Sequence, residues 1–239
     1  IEHIHDAINI GYRHIDTAFI YGNEAGVGEA IRTCGVPREQ IFVTTKLWNA
    51  DRGYDAAMRA FDNALQKMDL SYLDMFLIHW PAAKGEPMTW QSINSGTWRA
   101  LEDLYEQGVV RAIGVSNFLS HHLVPLLARA RIAPMVNQIE FCASRNIQVV
   151  AWSPLARGAL VRNPVILEIA QNHGVSTGQV CLRWCLQHGA AAVVKSLSPE
   201  RRRMNADLFS FSLTAEEMDR LDNMPQTGFS GLDPDHVTF

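Results

Sequence analysis

Several features are scarce in this 239-residue chain. No apolar run reaches the roughly 18 residues that a membrane-crossing helix needs. Cysteine is sparse: Cys34, Cys142, Cys181 and Cys185 are the whole complement, and their spacing matches neither a zinc site nor a disulfide framework. Few, scattered thiols fit a reducing compartment, so a cytoplasmic location is expected. Charge of either sign is modest, with a formal net value of −4. Nucleic acid and anionic membrane are therefore not expected as partners. No glycine fingerprint of the form G-x-G-x-x-G opens a helix; "AGVGEA" at 25–30 lacks that spacing, which argues against a Rossmann site. Low-complexity tracts and linkers rich in Pro, Gly or Ser are also lacking, so residues 1–239 are expected to form one domain. Histidine pairs are no better placed for metal. His3 and His5 sit two apart on a helix and point different ways, while the adjacent His121 and His122 suit a surface, so no metal site is expected.

What the chain does hold is 47 % hydrophobic residues, enough for a sizeable core. Short apolar strands alternate with amphipathic helices. The strand-like runs are "HIDT", "IFVTTK", "LDMFLIH", "VRAIGVS", "PMVNQIE", "IQVVAWS" and "AAVVKS". Between them, Tyr54, Met58, Phe61, Leu65 and Met68 step by four and three along one helical face, and "GTWRALEDLYEQG" stops at Gly108. This alternation predicts a parallel sheet covered by helices. A closed (β/α)8 TIM barrel needs eight strands, and seven are visible, so a first strand is expected upstream of Ile1. Only Phe141–Asn146 separate two strands that should be parallel, which is too short a crossover; further residues are expected there as well. An open flavodoxin-like sheet is the alternative.

The strand ends are polar: Asp16, Lys46, His79, Ser116-Asn117, Gln138, Trp152-Ser153 and Lys195-Ser196. Each alone reads as ordinary structure, but in a barrel all gather on the face that carries active sites. Tyr21 follows Asp16 closely. An ammonium near a phenol lowers its pKa, so Lys46, held by Asp16, is expected to ease proton donation from Tyr21, with His79 orienting a carbonyl oxygen. That set suits hydride addition to a C=O group. In "VVKSLSPERRRMN", Ser198-Pro199 starts a helix, and Lys195, Ser196 and Arg201 offer donors for a phosphate. Arg202 and Arg203 read as a solvated helix face.

Taken together, "GYRHIDTAFIYGNE", "TTKLW", "LIHWP", "GVSNF", "VNQIE", "WSPLARG" and "KSLSPERRRMN" resemble the aldo-keto reductases, in family order and over essentially the whole chain. The tail "GFSGLDPDHVTF" and "AWSPLARG" are most similar to prokaryotic-type members that include the diketogluconate reductases. The resemblance implies a (β/α)8 barrel binding NADPH without a Rossmann domain. It implies a catalytic tetrad of Asp16, Tyr21, Lys46 and His79, with Tyr21 as general acid. Ser116, Asn117 and Gln138 match positions that hold the nicotinamide carboxamide, with Asp16 beside them. Trp152 matches a ring-stacking position, Ser153 and Leu155 the pyrophosphate, Lys195, Ser196 and Arg201 the 2′-phosphate, and Asn205 adenine. Met204 and Arg202 depart from the usual residues there.

The expected substrate is a small carbonyl compound, an aldehyde, ketone or keto-sugar, bound near Tyr21, His79 and Trp80 by a monomer. Residues 81–95 form a long connection that suits a substrate loop, with Trp90 as a pocket wall or a packing anchor, and the run from Pro225 as another wall. Two other readings stay open: a Schiff-base aldolase-type barrel using Lys46 or Lys195, and an NADPH-binding sensor with little turnover.

Overall fold

The computed structural model describes residues 1–84, 89–139, 147–225 and 232–238. The chain divides into two units, Ile1–Gln138 with Asp233–Phe239, and Ile139–Leu232.

In the first unit, helix α1 (Glu2–Ile10) precedes strand β1 (His14–Asp16), and the chain then alternates: α2 (Glu24–Thr33), β2 (Phe42–Leu47), α3 (Tyr54–Met68), β3 (Leu73–Ile78), α4 (Trp90–Glu106), β4 (Val110–Ser116), α5 (Ser120–Leu127) and β5 (Val136–Ile139). The strands pair in parallel and in chain order, with Asp16 opposite Thr44, Lys46 opposite Leu77, Ile78 opposite Val115 and Ser116 opposite Gln138. Every residue of β3 is buried, as a strand covered on both faces requires. Asp74 belongs to that buried run and is matched by Arg38 at 2.7 Å and Arg111 at 3.0 Å.

Helix α3 buries the line Ala57, Phe61, Ala64 and Met68, and Phe61 meets Phe76 of β3 edge-on at 5.3 Å. Tyr54, Met58 and Leu65, expected on the central stripe, flank it half-buried. Gly28 lets α2 lie against the end of α3, since a Cβ there would stand 2.0 Å from the Met68 carbonyl oxygen. Helix α4 starts at Trp90, so the connection after β3 is shorter than the expected 81–95.

The five-stranded sheet is curled. In a flat sheet β1 and β5 would lie about 19 Å apart, four spacings of about 4.8 Å. Yet Gln138 Nε2 donates to Asp16 Oδ2 at 2.8 Å. The polar strand ends of this unit therefore face a common concavity.

The second unit holds β6 (Gln148–Ala151), α6 (Pro164–His173), α7 (Thr177–Gln187), β7 (Ala191–Ala192), α8 (Pro199–Ala206) and α9 (Ala215–Asp222). Strands β6 and β7 pair in parallel. Ile166, Ile169, Val180, Leu213 and Leu221 form its core. Side-chain caps start four of its helices: Asn163 on α6, Ser176 on α7, Ser198 on α8 and Thr214 on α9. Strand β7 is shorter than "AAVVKS" promised, although the Val193 N–H still donates to the Ala151 carbonyl at 2.9 Å. The break expected beside Phe141 lies outside the described residues.

Candidate active site

Asp16 ends β1 and Lys46 stands next to the end of β2, one strand over. Lys46 is completely buried; its Nζ donates to Asp16 Oδ1 at 2.6 Å and to the Thr17 carbonyl at 2.9 Å. Burial pushes the Lys46 pKa down, and the attraction of Asp16 opposes that fall. Ser116 Oγ donates to the Gln138 carbonyl at 2.8 Å, and Asn117 Nδ2 to the His79 carbonyl at 2.9 Å. Asn117 holds φ of +62°, a left-handed backbone that is uncommon for a side chain larger than glycine's and that collects at functional sites. Asp16, Lys46, Ser116, Asn117 and Gln138, picked from separate motifs, thus form one connected polar group.

Tyr21 ends a single 3-10 turn, Phe19–Tyr21, between β1 and α2. Lys46 Nζ lies 5.5 Å from the centre of its ring, and the His79 ring meets it edge-on at 6.0 Å. Although Tyr21 is half-exposed, the protein packed round it and, second, the Asp16 carboxylate push its pKa up to about 12. The lowering expected from Lys46 does not occur. The ammonium is matched by Asp16, and the carboxylate of that pair acts on the phenol. Tyr21 is consequently a stable proton store at neutral pH.

His79 follows β3 directly. Trp48 packs edge-on against its ring at 5.2 Å, and Trp80 lies nearly parallel to it at 6.4 Å. Burial, and then the Lys46 charge, push the pKa of His79 down to about 3, so the ring is neutral. Its Nδ1 is buried and has no hydrogen-bond partner among the described residues. A buried polar atom left open in this way is suited to a ligand group.

In the second unit, which begins with Ile139 at the end of β5, the Trp152 N–H donates to the Ile139 carbonyl at 3.0 Å, and Ser153 takes φ of +51° just beyond β6. Leu155 packs on the core of that unit. Ser198 caps α8 by accepting from the Arg201 N–H at 3.2 Å, while the side chains of Arg201 and Lys195 are exposed. Ser196 Oγ accepts from the Ser198 N–H at 3.2 Å. Asn205 is buried, its Oδ1 3.4 Å from where a Cβ on Gly178 would stand.

Comparison with known proteins agrees with this geometry. The model of the Aldo/keto reductase family matches residues 1–225. The chain belongs to the aldo/keto reductase family. It is 46% identical over 250 residues to the glyoxal reductase of Bacillus subtilis (strain 168), an alignment covering 100% of this chain and 88% of that protein. Among solved structures, an aldo-keto reductase from a Medee basin deep-sea metagenome library superposes with a TM-score of 0.86 at 42% identity, covering 92% of this chain and 84% of that one. A Gox0644 variant solved in complex with NADPH gives a TM-score of 0.90 at 37% identity, covering 100% and 89%. As an aldo/keto reductase the chain is an oxidoreductase with the (β/α)8 fold, seven of whose strands lie among the described residues.

Within that family frame, several expectations change. Arg202 is buried rather than solvated, because its guanidinium donates to the Ser196 carbonyl at 3.0 Å. His122 is buried rather than on the surface. Its Nδ1 accepts from the Leu119 N–H at 3.1 Å, which leaves the ring proton on Nε2, 3.1 Å from Asp235 Oδ1. His121 Nε2 stands 2.6 Å from the same oxygen. Trp90 packs edge-on against His122 at 4.9 Å and is a packing anchor. Trp48 went unrecognised, although a tryptophan directly after a strand, the arrangement seen at Trp80, was the available signal. Of the run from Pro225, residues 226–231 lie outside the described residues.

Proposed function

We propose that this chain reduces an aldehyde or ketone to the alcohol with NADPH as reductant, Tyr21 acting as general acid. The observation that carries the reading is the buried Lys46–Asp16 pair beneath Tyr21, with a neutral His79 beside it. The donor set also suits the cofactor. Ser116, Asn117 and Gln138 are amide and hydroxyl groups at neighbouring strand ends, matched to a carboxamide, and Asn117 is held in an unusual backbone conformation there. Trp152, Ser153 and Leu155 are assigned to ring stacking and the pyrophosphate, and Asn205 to adenine. Lys195, Ser196 and Arg201 surround the start of α8, where the positive end of the helix dipole and the positive side chains favour a phosphate.

When bound, NADPH supplies the hydride to the carbonyl carbon. As charge develops on the oxygen, the Tyr21 hydroxyl gives up its proton, completing the alcohol. A phenol at about 12 is a weak acid, but an alkoxide is a far stronger base than a phenolate, so the transfer runs downhill. His79, neutral, is assigned to donate a hydrogen bond that orients the carbonyl. Trp48, partly exposed beside His79, is assigned an apolar surface for the rest of the substrate, while Trp80 is buried against the same ring. Lys46 is fully buried and engaged by two acceptors, which disfavours a Schiff base at that amine.

The test is a panel of glyoxal, simple aldehydes, diketones and keto-sugars, each offered with NADPH and with NADH while cofactor oxidation is followed. Turnover with NADPH on at least one carbonyl class supports the reading. Tight NADPH binding with no turnover across the panel would favour the sensor instead.

A further inference from the structure

The placement of Tyr21 raises a structural question. No hydrogen bond among the described residues holds its hydroxyl, and over half of the residue is exposed. Its backbone bonds are local: the Tyr21 N–H to the Ala18 carbonyl at 3.0 Å and the Gly22 N–H to the Phe19 carbonyl at 3.1 Å. Where the phenol sits thus depends on how the connection 17–23 is fastened to the sheet.

That fastening is specific. Thr17 Oγ1 donates to Asn23 Oδ1 at 2.6 Å, closing the connection on itself with Tyr21 inside. One residue further on, the buried Glu24 accepts from Thr45 Oγ1 at 2.7 Å, tying the start of α2 to β2 beside Lys46. Lys67, from α3, stands 3.7 Å from Glu24 Oε2 and 4.2 Å from the centre of the Phe19 ring in the same turn. Thr17 works in both directions. Its N–H donates to the Thr44 carbonyl at 2.8 Å, its own carbonyl takes the Lys46 ammonium, and its hydroxyl closes the Tyr21 connection.

Satisfying a buried threonine hydroxyl would not by itself call for this arrangement, because a carbonyl within the turn would serve. Asn23 is exposed and needs no protein partner. Burying the Glu24 carboxylate carries a desolvation cost that an uncharged residue would avoid. We infer that Thr17 and Asn23 are positioning residues that set the Tyr21 hydroxyl against the reacting oxygen, with the Glu24–Thr45 contact as their brace. This rests on the reading of Tyr21 as general acid.

The experiment compares Thr17→Val, Thr17→Ser, Asn23→Ala, Tyr21→Phe and the double variant Thr17→Val/Tyr21→Phe in the whole chain. It measures kcat and KM for a reducible aldehyde and Kd for NADPH. Misplacing a reacting group by about 1 Å can cost on the order of 100-fold. Thr17→Val and Asn23→Ala are expected to lose roughly 10- to 100-fold in kcat, with NADPH Kd within about twofold. Thr17→Ser keeps the hydroxyl and is expected to retain most activity. In the Tyr21→Phe background, Thr17→Val should add little, because a residue acting through Tyr21 has nothing left to position.

Full activity in Tyr21→Phe would remove the general-acid reading itself. A crippled Tyr21→Phe beside wild-type kcat in Thr17→Val and Asn23→Ala would overturn the positioning role and leave Tyr21 its own. Additive losses in the double variant would also overturn it, since Thr17 would then act through Lys46. Should Thr17→Val not fold, Asn23→Ala, a change at an exposed side chain, decides the matter alone.

Discussion

Lys46 and Asp16 meet at 2.6 Å with unequal burial: the lysine side chain has no exposed surface, while the aspartate keeps 13%. Removing one partner therefore differs from removing the other. Asp16→Asn leaves a buried ammonium without its counter-charge, a loss on the order of 3–5 kcal/mol. Lys46→Met removes the deeply buried charge and leaves an aspartate that Gln138 still serves at 2.8 Å. Thermal unfolding of the two variants is expected to show the larger drop in Tm for Asp16→Asn. Equal drops would mean that the pair is not as asymmetric as its burial.

Stability should fall on the acid side, and the sign follows from the histidines. Burial holds His79 at about 3 and His122 at about 4, against an ordinary 6.5, and lowers His14 as well. Between those values and 6.5 the unfolded chain binds more protons than the folded one, so stability rises with pH there. The contribution is fully present above 6.5 and is lost as pH falls toward 3–4. His122 has a structural reason to stay neutral: once protonated, its Nδ1 can no longer accept from Leu119. Tm measured from pH 7 down to pH 4 is expected to decline, with a shallower slope in His79→Gln. An unchanged slope in that variant would contradict the depressed value.

The pKa values of His79 and Tyr21 bound the pH profile of catalysis. With His79 neutral above about 4 and Tyr21 protonated below about 11, kcat/KM for carbonyl reduction should show no break from either group between about pH 6 and about pH 9. A break near 8 that vanishes in Lys46→Met would show that the ammonium does lower the phenol.

Arg201, exposed beside the cap of α8, is the proposed anchor for the 2′-phosphate. Arg201→Ala should weaken NADPH binding roughly 10-fold or more and NADH far less, as read by cofactor fluorescence titration. Equal weakening of both would place the 2′-phosphate elsewhere.

Much of the site was legible because parallel strands place their ends together, so Asp16, Lys46, His79, Ser116, Asn117 and Gln138 could be gathered by reading where each apolar run stops. The rest left no such trace. Arg202 lies in a basic run that reads as solvated, yet it is buried with its guanidinium on the Ser196 carbonyl. Helix α4 begins within "MTWQSINS", where polar residues hide the apolar period. The Thr17–Asn23 and Thr45–Glu24 bonds are isolated polar pairs with no periodicity to reveal them. Tyr21 shows the limit most clearly: a lysine held by Asp16 suggested a lowered pKa, but the sequence did not reveal that the protein packed round the phenol and the Asp16 carboxylate would raise it.

The most direct measurement is Tyr21→Phe, assayed for aldehyde reduction and for NADPH affinity together. A general acid is worth roughly 10²–10⁴-fold in rate. The expected result is a kcat lower by about that factor with NADPH Kd little changed. A variant that reduces the carbonyl at the wild-type rate would contradict the assignment of the proton to Tyr21.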